Sequence, residues 1–415
     1  MTIVDARDTR EIDRLVTPAR VDDRAFDRRV QTIVDGVRTG GDRALARFAR
    51  RFDHVSGPIE VTAEEMRDGA ARVEPAVRRA ITQAAANIAK VASRQIPKHF
   101  DLEVAPGVSI EQRVEPLERV GCYVPGGRFP LPSSLLMTAV PARVAGVRHI
   151  YVVCPRPEPA VMAAALEAGV TRLFRIGGAH AVAALAFGTK TVPRVEKIVG
   201  PGNRYVAAAK ALVSRRCAID FYAGPTEIVI VAGAGRPAWI AADLIAQAEH
   251  DPDARAIFIT WSRLLADRVV KAVVKAVTQR SAGRDIVRQS LDANGVVIVT
   301  RNANEAMALA NRFAPEHLVV DREALARRPL TAGAVFIGPY SAQAAGDYAT
   351  GSNHVLPTSG AARYRGGLSA ADFVRVMSVQ RVTRAGLTRL APTILALARA
   401  EGLEAHAESI EVRLK

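Results

Sequence analysis

Histidine, carboxylate and amide side chains recur in this 415-residue chain within a few short segments bounded by glycine and proline. In NRFAPEHLVVD, Glu316 and His317 are adjacent where a helix gives way to a strand. An adjacent carboxylate and imidazole can divide proton transfer between them. Open α/β sheets often place ligand-binding groups at helix–strand junctions. In DLIAQAEHDP, Gln247 and His250 stand three residues apart at a helix end, which suits two ligands of one metal. GDYATGSNHVLPTSG carries Asp347 and His354 in a polar loop, and AEGLEAH carries Glu401 and His406 near the end of the chain. Taken singly, Gln247/His250 is better explained by a solvated helix end and Glu316/His317 by a surface carboxylate and a half-buried histidine, and an exposed tail pair would mean little. Half of the eight histidines (His250, His317, His354, His406) nevertheless fall beside a carboxylate or amide in such segments. Gln247, His250, Asp347 and His406 form an all-nitrogen-and-oxygen set. A catalytic zinc with room for substrate takes such donors, and Mn²⁺ accepts them too. Spacing alone does not bring the four together.

Two glycine-rich turns supply a second kind of chemistry. GCYVPGGRFPLPSS (121–134) runs from a strand through a turn into a helix start. In IVGPGNRYVAAAK (198–210), Gly200, Pro201, Gly202 and Asn203 lead directly into a helix. Free N–H groups at such a start attract phosphate or carboxylate. Neither turn is GxGxxG, so the standard dinucleotide fingerprint is absent, and both also read as ordinary tight turns.

The elements that must hold these groups follow from hydrophobic patterning. The first hundred residues read as helices, one over 22–52 broken at Gly40-Gly41 and one over 63–95 with Pro75 near an inner turn. From about residue 119, short β-branched runs alternate with Ala-rich helical stretches. The runs are 120–124, 150–153, 172–176, 197–199, 227–231, 256–260, 296–299, 318–320 and 335–337. This alternation predicts α/β architecture, with two mainly parallel, doubly wound sets meeting between Asp220 and Glu227. After Leu368 the tail reads as helical, with a short strand over 410–414.

Composition removes several function classes. Hydrophobic residues are 49% and charged residues 24%, ordinary for a globular protein. No apolar run reaches the roughly 18 residues of a spanning helix, and the charged N-terminus lacks a signal-peptide core. Cys122, Cys154 and Cys217 are odd in number and far apart, which excludes a disulfide framework and any CxxC motif. A cytoplasmic protein is expected. The net charge is +15, but the basic residues are scattered singly or in pairs, and aromatics are only 5%. That leaves few platforms for stacking bases, so no nucleic-acid partner is expected, although the charge would attract an anionic dinucleotide.

Seven segments, in order, make the chain resemble the L-histidinol dehydrogenase family over nearly its whole length. They are YVPGG (123–127), GPGN (200–203), AGPTE (223–227), QAEHDPDA (247–254), APEHL (314–318), GDY to NHVLPT (347–358) and EGLEAH (401–406). The resemblance implies oxidation of L-histidinol to L-histidine through bound L-histidinal in two NAD⁺-linked steps, the last of histidine biosynthesis. It implies Gln247, His250, Asp347 and His406 as ligands of one Zn²⁺ per subunit, or Mn²⁺, and Glu316 and His317 as the acid/base pair. Ser133, Thr226, His354 and Glu401 match substrate contacts beside the metal and acid/base residues. Tyr123, His180 and Asn203 match contacts to NAD⁺. At His180 the chain departs from the family pattern, with GGAHA in place of GGAQA.

The fold so implied is two incomplete Rossmann-like doubly wound domains with helical N-terminal and C-terminal extensions. Residues 1–20 form the N-terminal extension, 21–122 with 227–368 the first domain, and 123–226 the second. Residues 369–415 form a tail that enters the partner's site in a homodimer. Two rivals stay open. One is a related zinc/NAD alcohol dehydrogenase acting on another substrate, such as sulfopropanediol. The other is a zinc hydrolase, since metal, Glu and His serve water attack equally well. Glu401 and His354 suit a cationic amine and an imidazole, which favours histidinol. The glycine-rich turns have no role in a hydrolase.

Overall fold

The computed structural model describes residues 1–17, 23–126, 130–222, 224–281 and 283–415. The expected boundary after residue 20, the expected helix start at Asp22, and Gly127 and Ala223 of two motifs lie outside the described residues.

Apolar β-branched runs decide where the sheets form. The run EIVIV, Glu227–Val231, is buried along its length. An inner strand of a parallel sheet covered on both faces must be so. It is flanked by Arg255–Thr260 and His317–Val320. The whole first sheet has six parallel strands, in the order Thr2–Asp5, Gly295–Val299, Arg255–Thr260, Glu227–Val231, His317–Val320, Ala334–Ile337. The chain winds outward from Glu227–Val231, then returns to its other side, so the winding direction reverses between that strand and His317–Val320. Side chains alternate between the faces. Ile228 and Ile230 meet the helices Pro237–Ala248, Arg263–Gln279 and Arg284–Asn294, while Val229 and Val231 meet Ala303–Phe313.

The second sheet repeats the pattern. Its order is Glu60–Val61, Arg172–Phe174, His149–Val153, Arg119–Tyr123, Lys197–Val199, Ala218–Ile219, with only the first strand antiparallel. The winding reverses between Arg119–Tyr123 and Lys197–Val199. Phe100–Ala105, Val108–Pro116 and Val374–Val382 form a separate antiparallel sheet. The α/β class and the nine expected strands are therefore present, each within two residues of its expected ends.

Three expected features differ. The helix Arg24–Phe48 buries Phe26, Val30, Val34 and Val37 in the core of the second sheet, and Pro75–Gln95 buries Ile81, Ala85 and Ile88 on that sheet's other face. Arg119–Tyr123 is itself an inner strand of that sheet. Residues 24–95 and the strand Arg119–Tyr123 therefore belong with the second unit, not the first, because apolar faces follow the nearest open sheet face rather than chain order. The N-terminal extension is not purely helical: Thr2–Asp5 closes the edge of the first sheet before the helix Thr9–Val16. In the tail, Val374–Val382 is a strand, and the short strand expected over 410–414 is instead part of the helix Glu404–Leu414. The Val-rich stretch VRVMSVQRV itself favours a strand once Val108–Pro116 pairs with it, whereas 410–414 continues a helix whose Glu411 accepts from Arg399.

One turn is held under unusual constraint. Gly200 follows Lys197–Val199 with φ +113°. Its N–H donates to Asp220 Oδ2 at 2.7 Å, and its carbonyl accepts from Lys210 Nζ at 3.0 Å. Lys210 and Asp220 form a buried ion pair. Asn203 Oδ1 then caps the helix Arg204–Val213 by accepting from the N–H groups of Tyr205 and Val206. A Cβ on Gly200 would overlap the Tyr123 carbonyl oxygen, whereas Gly338, with φ +84°, has open space where its Cβ would go. Gly338→Ala should therefore cost about 1–2 kcal/mol from backbone strain alone. Gly200→Ala should cost about 3 kcal/mol or more, because strain and overlap add. Urea midpoints of the two variants test this; equal losses would show that the Gly200 turn is not crowded.

Candidate active site

The parallel register sets Ile228 beside His317, so the residues that precede both strands meet at the amino edge of the first sheet. Helix Ala303–Phe313 ends at Ala314, a left-handed residue with φ +48°. Pro315 and Glu316 then turn the chain into the strand that His317 opens. Thr226 immediately precedes Glu227–Val231, and Gln247 lies in the last turn of Pro237–Ala248. Asp347 comes from the short helix Gln343–Tyr348. The expected junction thus gathers a site at the amino ends of these strands, whereas doubly wound sheets usually place ligands at the carboxyl ends.

Hydrogen bonds join these groups into one network. Gln247 Nε2 donates to Thr226 Oγ1 at 2.7 Å, and Thr226 Oγ1 donates to Glu316 Oε2 at 2.5 Å. The Glu227 N–H adds a third bond, to the same Glu316 oxygen, at 2.9 Å. His317 Nδ1 lies 3.2 Å from the Glu227 carbonyl. A carbonyl only accepts, so Nδ1 carries the ring proton and Nε2 keeps its lone pair. That nitrogen faces Gln343 Nε2 at 3.4 Å and Asp347 Oδ1 at 3.9 Å. His354 Nδ1 donates to the Asp347 carbonyl at 3.0 Å.

Burial sets the charge states. It pushes Glu316 up to about 7, partly opposed by the bonds from Thr226 and Glu227. Glu227 is also pushed up to about 7 by burial, which the Arg255 guanidinium opposes. Burial raises Asp347 against the pull of His317 and His250. It lowers His317, and it pushes His354 down to about 4, so both rings are neutral near pH 7. Cys122, Cys154 and Cys217 are buried and each pushed up to about 12, unsuited to a thiolate nucleophile.

Not every expected residue enters this network. His250 is exposed but near enough to influence Glu316, His317 and Asp347 electrostatically. Ser133 sits in the first turn of Pro132–Val144, a helix tied to the His354 segment by Asn353 Nδ2 donating to the Met137 carbonyl at 2.7 Å. Glu401 and His406 are exposed on the tail, and among the described residues no hydrogen bond or ion pair links either to the network. Among the described residues, no three His, Cys, Asp or Glu side chains gather as a metal-holding group. One observation still fits a metal. Gln247 is fully buried, its Nε2 is fixed by Thr226, and its Oε1 has no partner.

The three residues matched to cofactor contacts lie at the carboxyl edge of the second sheet. Tyr123 is buried, and its hydroxyl accepts from the Gly178 N–H at 2.9 Å. His180 is 1% exposed, with Nε2 2.7 Å from Asp53 Oδ2, which also accepts from the Gly177 N–H at 3.0 Å. Both side chains therefore brace the Gly177–Gly178 turn from beneath, and Asn203 is an exposed helix cap. Asp53, Glu227 and Gln343 were not singled out from the sequence. For Asp53 no local signal exists. A carboxylate opening an apolar strand, and an amide one helical turn before Asp347, were the legible signs of the other two.

The buried carboxyl gives a pH-dependent expectation. Glu316 prefers its neutral form when folded, so its contribution is fully present below the ordinary value near 4.5 and is lost as pH rises to about 7. Glu316→Gln should therefore leave metal-free protein equally stable near pH 4.5 and more stable at pH 8, by about 2–3 kcal/mol. Denaturant melts at both pH values test it; a gap that fails to widen with pH would mean that burial does not hold Glu316 protonated.

Comparisons with known proteins bear on the family of the chain. The family model for histidinol dehydrogenase matches residues 17–414. The histidinol dehydrogenase of Methanothermobacter thermautotrophicus is 44% identical over 418 residues, covering 98% of each chain. That of Syntrophotalea carbinolica is 47% identical over 399 residues, covering 93% of this chain and 92% of its own. The crystal structure of histidinol dehydrogenase from Elizabethkingia anophelis superposes with a TM-score of 0.94 at 33% identity, over 100% of this chain and 98% of that one. The chain belongs to the histidinol dehydrogenase family.

Proposed function

We propose that the protein oxidises L-histidinol to L-histidine in two NAD⁺-linked steps at the amino edge of the first sheet, in the cytoplasm. The observation that carries this reading is the pair of buried groups with opposite tasks. His317 is a neutral imidazole with a free Nε2 lone pair, and Glu316 is a carboxyl poised near neutrality, one residue away. His317 Nε2 takes the alcohol proton as hydride passes to NAD⁺ and the aldehyde forms. Water then adds to the aldehyde, with Glu316 receiving the water proton through the oxygen not engaged by Thr226 and Glu227. His317, having passed its first proton to solvent, takes a hydroxyl proton of the resulting diol as a second hydride passes to a second NAD⁺, leaving the carboxylic acid.

Gln247 Oε1, His250 and Asp347 would hold zinc or Mn²⁺ from one chain, with His406 supplied by the tail of a second copy. Such an ion, when bound, orients and polarises the substrate. Thr226, His354, Glu401 and Ser133 would complete the substrate's surroundings. The dinucleotide would lie at the carboxyl edge of the second sheet, over the Gly177–Gly178 and Gly200–Asn203 turns that Tyr123, His180 and Asn203 shape. Exposed Phe100, Leu102, Val104 and Val376 on the antiparallel sheet, with Leu397 and Val412 on the tail helices, support a homodimer in which the tails are exchanged. None of the described helices is long and apolar enough to cross a membrane.

Two measurements test the reading. NADH absorbance should rise by two equivalents per L-histidinol without free aldehyde, and chelation should abolish the rise until Zn²⁺ or Mn²⁺ is restored. One equivalent with aldehyde released would remove the second step, and full activity in metal-free protein would remove the ligand set. The second measurement concerns the tail. Homodimers of His250→Ala and of His406→Ala should each be inactive. If the tails are exchanged, mixing the two variants restores one intact site per mixed dimer, and roughly a quarter of wild-type activity returns. Exchange of chains without any return would place each tail in its own subunit's site.

A further inference from the structure

Two buried side-chain oxygens among the described residues lack a hydrogen-bond partner, Gln247 Oε1 and Gln343 Oε1, and both lie in the same network. The first is explained by the ligand set above. The second belongs to a residue that the proposed chemistry has not used.

Gln343 opens the helix Gln343–Tyr348 and is 1% exposed. Its Nε2 donates to Asp347 Oδ2 at 2.6 Å and lies 3.4 Å from His317 Nε2. The amide therefore touches both groups whose orientation the reaction depends on. With Oδ2 of Asp347 engaged, Oδ1 is left facing His317 and His354, each at 3.9 Å. An N–H directed at His317 Nε2 favours the ring form in which that nitrogen is the acceptor, the same form that the Glu227 carbonyl requires at Nδ1. A carboxylate in place of the amide would set two like charges against each other at this distance. An apolar side chain would leave Asp347 Oδ2 buried and unpaired. Buried acceptors are nearly always satisfied, so the remaining oxygen marks a place for a donor that arrives with the substrate.

We propose that Gln343 is a further residue of the reaction site: its N–H groups position Asp347 and the acceptor nitrogen of His317, and its carbonyl oxygen accepts from an N–H of the substrate's amino group. This inference rests on the amino-alcohol oxidation proposed above.

The test uses full-length Gln343→Met, which matches the length of glutamine but has neither amide group. Zinc affinity, read by competition with a chromophoric chelator, should fall about 10- to 100-fold through loss of the support to Asp347. The KM for L-histidinol should rise about tenfold or more, while that for the analogue lacking the amino group should not change. In metal-free protein, ¹⁵N NMR of labelled histidine, assigned with His317→Gln, should show His317 passing from a single Nδ1–H tautomer to a mixture. An unchanged tautomer together with unchanged zinc affinity would overturn the positioning role. Equal rises in KM for both alcohols would overturn the contact to the amine. If Gln343→Met does not fold, Gln343→Glu carries the test: its carboxylate demands a proton at His317 Nε2, and an Nε2 that stays unprotonated overturns the proposal. Wild-type protein that binds no zinc would remove the metal reading alone and leave the tautomer result to decide the role of Gln343.

Discussion

Burial of Glu316 and His317 at the first turn of an inner strand is the constraint on which the site depends. The two residues are 6% and 3% exposed, and neither side chain can be left without partners in such surroundings. The parallel register supplies them. Because His317 aligns with Ile228, the backbone N–H and carbonyl of Glu227 are presented to the carboxyl and the ring. Thr226 donates to Glu316 directly, Gln247 joins through Thr226, and Gln343 and Asp347 face the free nitrogen of His317. A shift of one residue in this register would turn every inward side chain of the strand to the other face and dissolve the network.

The second sheet solves a related problem with other means. Its tight turns are held by buried charge: Asp53 beneath Gly177 and His180, and the Lys210–Asp220 pair around Gly200. Buried ion pairs contribute little net stability, but they demand a defined geometry. That suits turns whose backbone N–H groups must keep fixed directions. The two sheets share one winding pattern and put it to different uses, one presenting its amino edge and the other its carboxyl edge.

The tail stands apart from both. Glu401, just past the helix Arg384–Ala400, and His406, on the helix Glu404–Leu414, are exposed, and the antiparallel sheet that carries the tail shows apolar side chains to solvent. The chain thus presents a network with an unpaired buried acceptor and, elsewhere, an exposed imidazole and carboxylate matched to the same chemistry. The exchange of tails proposed above, with an ion between the two sets of groups, would meet both needs.

Some of this was legible in the sequence. Glu316 and His317 are adjacent, Asp347 and His354 share a loop, and Gln247 closes an amphipathic helix, so local spacing was enough to nominate them. The inner strands were equally plain, because parallel strands buried on both faces must be continuous apolar runs. Thr2–Asp5, Phe100–Ala105 and Val374–Val382 were not, because edge and antiparallel strands are exposed and carry no such run. Local spacing also could not show that the helices within residues 24–95 cover the second sheet, or that Asp53 reaches His180 from 127 residues away. Nor could it show that Glu316 is a carboxyl held near neutrality rather than an ordinary surface acid. The types of the reacting groups belong to the sequence. Their protonation states, tautomers and partners depend on desolvation and on contacts between distant segments, and only the tertiary structure decides those.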